Sequence, residues 1–183
     1  MRWIWIDKFI EFQPGVRAKA IKNVSLAEEH LHDHYPGYPN MPNSLITEGI
    51  AQTGGVLVGE TTQFTKRVVL AKIPKVSFYR PVVAGETLTY TVEIEMLMDE
   101  GAMVSATSQV DGELQAELEM VYAYLGDEHV NPNLFQPQDF LLHLRQLGLF
   151  DRLPNLEELG WNDWPGLQSA EEVSWKNGKH HAS

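Results

Sequence analysis

Cysteine is absent from the 183 residues, which excludes disulfide staples, thiolate nucleophiles and zinc–thiolate sites together. Apolar runs are short, none approaching the ~18 residues of a membrane span. Lysine and arginine are missing altogether from residues 81–128, which carry eleven acids. With a net charge of -11, the chain would repel a phosphate backbone, so no nucleic-acid partner is expected. The N-terminus, Met1-Arg2-Trp3-Ile4-Trp5-Ile6, meets Asp7 too early for a signal peptide, and a cytoplasmic protein without a membrane span is expected.

What remains is ordinary globular material, 43% hydrophobic and 21% charged, enough for one domain with a real core. Phe9 to Phe12 and Val16 to Lys22 alternate around Gln13-Pro14-Gly15, which predicts a hairpin. From Pro42 or Asn43 the apolar spacing becomes helical through Leu45, Ile46, Ile50, Leu57 and Val58, with Asn43 or Ser44 available as cap. Between Asn43 and Gly59 this helix carries no charge except Glu48, as a buried central helix would. Strand-like segments follow at Val68 to Ala71, Lys75 to Arg80, Thr87 to Met96, Val104 to Val110 and Leu114 to Leu125, the last two joined at Asp111-Gly112. The pattern predicts an α+β domain over residues 1–128, with about six antiparallel strands lying against one long helix. Residues 129–183, punctuated by Pro132, Pro137, Pro154 and Pro165, predict a largely helical extension packed on that domain. Its clearest element is an amphipathic helix from Pro137 to Leu147, its tryptophans are Trp161, Trp164 and Trp175, and its tail is expected to be loose.

The chemistry concentrates in His34-Tyr35-Pro36-Gly37-Tyr38-Pro39-Asn40-Met41-Pro42-Asn43-Ser44, a proline-stiffened loop that presents a histidine and runs into the helix bearing Glu48. A histidine titrates near neutrality and serves as a general base, while a carboxyl among apolar residues can hold a proton to donate. The first amides of the helix, at Asn43 and Ser44, point at anything negative lying before it and could polarise a carbonyl. His30, His32 and His34 alternate and would share one face of an extended strand, as zinc ligands can; the loop prolines and Glu48 have no part in such a site, and no metal or other cofactor is expected. Lys66, Arg67, Lys72, Lys75 and Arg80 form a basic stretch that is either a solvated strand edge or a patch for an acidic partner.

The run His34-Tyr-Pro-Gly-Tyr-Pro-Asn-Met-Pro-Asn with Glu48-Gly-Ile-Ala-Gln resembles the active-site signature of the β-hydroxyacyl-acyl carrier protein dehydratases of the FabZ type. Phe9 to Asn23, Val76-Ser-Phe-Tyr-Arg-Pro-Val-Val-Ala-Gly-Glu86 and Val110-Asp-Gly112 extend the likeness over roughly residues 5–125. The resemblance implies a hot-dog fold and a homodimer, or three such dimers together, in which His34 of one subunit faces Glu48 of the other. It implies that His34 removes the C2 proton of a 3-hydroxyacyl thioester and Glu48 protonates the departing hydroxyl. The Asn43 amide, with Ser44, Pro42 and Gly37 beside it, would hold the thioester oxygen. The substrate would be carried on acyl carrier protein or CoA, with the basic stretch receiving the carrier and side chains such as Met41, Phe78 and Tyr79 setting acyl depth. Glu at 48, rather than Asp, implies dehydration without the double-bond shift of the related dehydratase/isomerases. Asp33 and Asn43 stand where the family usually has glycine, and Asp33 could orient the imidazole. Two other readings share the fold: an acyl thioesterase in which a carboxylate activates water, and a non-catalytic carrier-binding protein.

Overall fold

The computed structural model describes residues 3–34, 37–126 and 137–153. Strands β1 (Lys8–Gln13) and β2 (Arg17–Asn23) form the N-terminal hairpin, followed by a short helix α1 (His30–Asp33) and the long helix α2 (Asn43–Glu60). Strands β3 (Arg67–Phe78), β4 (Thr87–Met98), β5 (Gly101–Val110) and β6 (Glu113–Leu125) come next, and helix α3 (Pro137–Gln146) leads into a 3-10 turn at Phe150–Arg152. All six strands join in one antiparallel sheet of order β1-β2-β4-β5-β6-β3. The sheet wraps α2, which packs against β2 to β6. This is the hot-dog arrangement.

The helix is central because its sequence leaves nothing to solvate. Ile46, Ile50 and Leu57 are fully buried, as are Phe9 of β1 and Leu88 and Tyr90 of β4. Two glycines set how closely the sheet approaches. A Cβ at Gly49 would lie 2.6 Å from the Trp5 carbonyl oxygen, and one at Gly54 2.5 Å from the Tyr122 hydroxyl. That hydroxyl donates to the Ala51 carbonyl at 2.8 Å, tying β6 to the helix. The turn between β5 and β6 uses Asp111 and Gly112 at φ 52° and 82°, the positive angles that the dipeptide accommodates.

Three expectations are corrected. Neither Asn43 nor Ser44 caps α2; the cap is Pro42, without a side-chain bond, and its carbonyl accepts from the Leu45 and Ile46 amides. The two segments on either side of Lys72 are one strand, β3, with register shifts between Leu70 and Lys75 around Pro74, which has no amide to give the ladder. The alternating histidines do not lie on a strand. Ser25 and Glu28 close a turn before them, with the Ser25 amide donating to Glu28 at 3.0 Å and Ser25 Oγ accepting from the Ala27 amide at 3.2 Å. The chain turns there into α1, so His32 is carried away from His30 and His34.

α3 packs on the main domain. Leu144 and Leu149 are buried in the main core, and the Phe9 amide donates to the Leu147 carbonyl at 2.8 Å. Tyr35, Pro36 and the tryptophans at 161, 164 and 175 lie outside the described residues.

Candidate active site

Two cavities flank α2, and they divide the expected site residues between them. One, of about 610 Å³, is lined by His34, Asn40, Pro42, Asn43 and Ser44 together with Phe78, Tyr79, Arg80 and Pro81. The other, of about 740 Å³, is lined by Glu48 and Gln52 and continues along apolar surface. The split follows from helix geometry. Asn43 and Glu48 are five residues apart, which at 100° per residue turns their directions about 140° from one another. Within one chain, therefore, the histidine and the carboxylate do not meet.

The histidine cavity is held by backbone. The Met41 amide donates to the Val82 carbonyl at 2.7 Å and Asn40 bridges Val83, which pins the loop across the end of β3. Gly37 takes φ 87° to turn the chain, and Asn40 Nδ2 donates to the Tyr38 carbonyl at 3.3 Å. The first amides of α2, at Asn43 and Ser44, have no carbonyl one turn earlier within the helix and border the same space as His34. The negative end of a polarised carbonyl would be favoured there by both the amides and the helix dipole. Phe78 and Tyr79 do line this cavity, whereas Met41 is buried in the core and cannot set acyl depth directly. Asp33 closes α1 next to His34 in the chain, and its side chain lies outside the described residues.

Glu48 is oriented by Gln52, the last residue of the Glu48-Gly-Ile-Ala-Gln run, to which the sequence alone assigned no role. Gln52 Nε2 donates to Glu48 Oε1 at 2.9 Å and to the Trp3 carbonyl at 2.9 Å, while Gln52 Oε1 accepts from the Trp5 amide at 2.8 Å. One amide side chain thus fastens both the carboxylate and the N-terminal segment. The available signal was its position one helical turn after Glu48. The Tyr122 phenol lies nearby, held protonated by burial and by the Glu48 charge.

The basic residues are strung along β3 rather than clustered. At ~3.3 Å per residue its twelve residues span roughly 40 Å. Lys66 and Arg67 border the Glu48 cavity, and Arg80 borders the His34 cavity. Arg80 is engaged by Glu86 through both terminal nitrogens, at 2.9 and 3.2 Å, which raises its pKa further. Lys75 approaches Glu119 at 4.0 Å, and Lys66 Nζ sits 4.8 Å from the centre of the Tyr124 ring. Among the described residues no group of three or more His, Asp or Glu side chains is arranged to hold a metal, and no helix is long and apolar enough to cross a membrane.

Residues 3–124 match the family model described as a FabA-like domain. Over 122 residues the chain is 39% identical to the 3-hydroxyacyl-[acyl-carrier-protein] dehydratase FabZ of Staphylococcus aureus (strain JH9), a match covering 66% of this chain and 84% of that one. Among solved structures, the chain is similar to the PaaI protein from the phenylacetic acid degradation operon of E. coli, with TM-score 0.54 and 15% identity over 65% of this chain and 79% of that one. It is similar also to the dehydratase heterocomplex ApeI:P from Xenorhabdus doucetiae, with TM-score 0.52 and 14% identity over 63% of this chain and 96% of that one. At these identities the two structures speak to the fold alone.

Proposed function

The chain belongs to the FabA-like domain family, and from that premise we propose that it dehydrates 3-hydroxyacyl thioesters of acyl carrier protein to trans-2-enoyl thioesters in fatty acid biosynthesis. The observation that carries this reading is the partition of the site. His34 shares a cavity with the first residues of α2, while Glu48 on the same helix lines a separate, largely apolar cavity, so each half lacks what the other holds. A two-fold pairing of subunits would bring His34 of one to Glu48 of the other.

In the resulting site the thioester oxygen lies against the Asn43 amide, with Ser44 and Pro42 alongside and Gly37 shaping the loop. His34 takes the proton from C2, and the electron pair left behind is delocalised onto the thioester oxygen, where the amide stabilises it. The pair then forms the C2=C3 bond as the C3–O bond breaks. The hydroxyl leaves as water with the proton supplied by Glu48, and the proton held by His34 passes to solvent or back to Glu48 to reset the site. Neither step changes oxidation state overall, so the reaction requires no redox cofactor.

Subunits would pair through β3, the free edge of the sheet next to β6. Val76 on this strand and Tyr79 just past its end are 46% and 55% exposed, and an edge that presents such side chains is a template for pairing with another chain. Lys66, Arg67, Lys72 and Lys75 on and beside that strand, with Arg80 partly neutralised by Glu86, would attract the acidic surface of a carrier protein.

The test is hydration of a 2-enoyl thioester by purified protein, followed as loss of enoyl absorbance. His34→Ala and Glu48→Gln should each reduce the rate by about a hundredfold or more, the scale expected for removing a general acid or base. Activity surviving His34→Ala would sink the mechanism. Release of free thiol would instead indicate a thioesterase.

A further inference from the structure

Glu48, Gln52, Gly55, Val56 and Gly59 fall at helical spacings of four, three, one and three and form a single stripe on α2. The cavity of about 740 Å³ runs along this stripe, starting at Glu48 and Gln52. Its floor is smooth because of Gly55, where an added Cβ would meet only the Tyr122 ring at 3.8 Å. At the other end Gly59 is backed by Phe64, whose ring would lie 2.9 Å from a Cβ there. Phe64 packs edge-to-face on Phe140 with ring centres 5.3 Å apart.

Phe140 belongs to α3, which lies beyond residues 3–124 matched by the family model. Leu144 and Leu147 of the same segment also line the cavity. The segment that carries them is fixed by the bond from the Phe9 amide to the Leu147 carbonyl and by burial of Leu144 and Leu149. A mostly apolar groove that holds Glu48 and is walled by residues of a seated helix has the form of a pocket for a hydrocarbon chain.

We propose that α3 is the end wall of the acyl pocket, and that the Phe64–Phe140 pair sets the longest acyl chain the enzyme accepts. This rests on the dehydratase reading only for the chemistry at Glu48. Eleven residues of helix separate Glu48 from Gly59, about 16 Å at 1.5 Å per residue. Carbon–carbon bonds of ~1.5 Å at tetrahedral angles advance about 1.25 Å per atom, so the groove holds roughly a dozen carbons. Gly55 lies about 10 Å along it, and a side chain there would stop the chain at roughly eight carbons.

The experiment measures kcat/KM for enoyl thioesters from butyryl to palmitoyl length with wild-type protein, Gly55→Leu and Phe140→Ala. Gly55→Leu is expected to lower the ratio of dodecanoyl-length to butyryl-length turnover at least about tenfold, and Phe140→Ala to raise acceptance of palmitoyl length by a similar factor. Opposite shifts from two variants cannot come from misfolding. An unchanged chain-length profile in both would overturn the proposal. If the wild type hydrates no thioester, the dehydratase reading falls, and calorimetric titration with dodecanoic acid decides the pocket. Binding weakened tenfold by Gly55→Leu supports the pocket, and no wild-type binding, or equal binding by both proteins, overturns it.

Discussion

Gln52 donates from one nitrogen to both the Glu48 carboxylate and the Trp3 carbonyl, each at 2.9 Å. The candidate acid is therefore oriented by a residue one turn along its own helix, and that residue is itself held by the N-terminal segment. A hydrogen bond to a charged group contributes about 1.5–3 kcal/mol. Gln52→Ala should accordingly lower kcat/KM for enoyl hydration by roughly ten- to a hundredfold, with a displaced pH–rate profile that a purely structural lesion would not produce. Gln52→Glu, placing a second carboxylate against Glu48, should be worse than alanine, and a profile unmoved in both variants would remove Gln52 from the site.

If the site is shared between subunits, His34→Ala and Glu48→Gln proteins should each be inactive alone and regain activity when co-expressed. Every mixed dimer would then hold one intact site and one lacking both groups. Absence of recovery in dimers verified by mass spectrometry would argue that the two residues do not cooperate across an interface. The same measurement on a Val76→Lys background should fail because paired subunits no longer form, which sedimentation would show directly.

Glu60 is 6% exposed at the C-terminal end of α2, where it accepts from the Gly15 amide at 2.9 Å and fixes the first hairpin. Burial raises its pKa above the usual 4.5, outweighing the opposing effect of that amide bond. A carboxyl whose folded pKa is raised contributes fully to stability while protonated in both states. That contribution is lost as pH climbs from the unfolded value through the folded one. Glu60→Gln keeps an acceptor for Gly15 without a charge. Its Tm relative to wild type should therefore improve as pH rises from 4.5 to neutrality, and a constant difference across that range would contradict the assignment.

Gly54 faces the Tyr122 hydroxyl so closely that alanine must displace it. Gly54→Ala should break the Tyr122–Ala51 bond and destabilise the protein by about 1–3 kcal/mol, measured by urea unfolding, while Gly55→Ala should change stability far less because its neighbourhood is open.

How much of this was readable in the sequence depended on whether a residue's neighbours in the chain decide its environment. The central helix was legible because charge was kept out of it, and the β5–β6 turn because Asp111-Gly112 suits positive φ. β3 was not legible as one strand: it is an edge, exposed on both faces over much of its length, so no alternation marks it, and Pro74 suggests a break. The histidines alternate as they would on a strand, but the turn closed by Ser25 and Glu28 leads the chain into α1 instead. His34 and Glu48 were singled out by their types and surroundings. Gln52 closes the Glu48-Gly-Ile-Ala-Gln run but was given no role there, because a glutamine on a helix acquires meaning only from what lies within reach of it in space, here Trp3 and Trp5.

The helix that joins the two cavities also limits how this chain can change. Asn43 and Glu48 are phased to opposite sides of a rod that has no slack, so inserting or deleting a single residue between them would rotate the carboxylate by 100°, away from its cavity, while leaving the amides in place. Substitutions in this stretch can be graded by size and charge. A change in its length cannot, and the interval from Asn43 to Glu48 should behave as the least elastic part of the chain under any mutational scan that includes insertions.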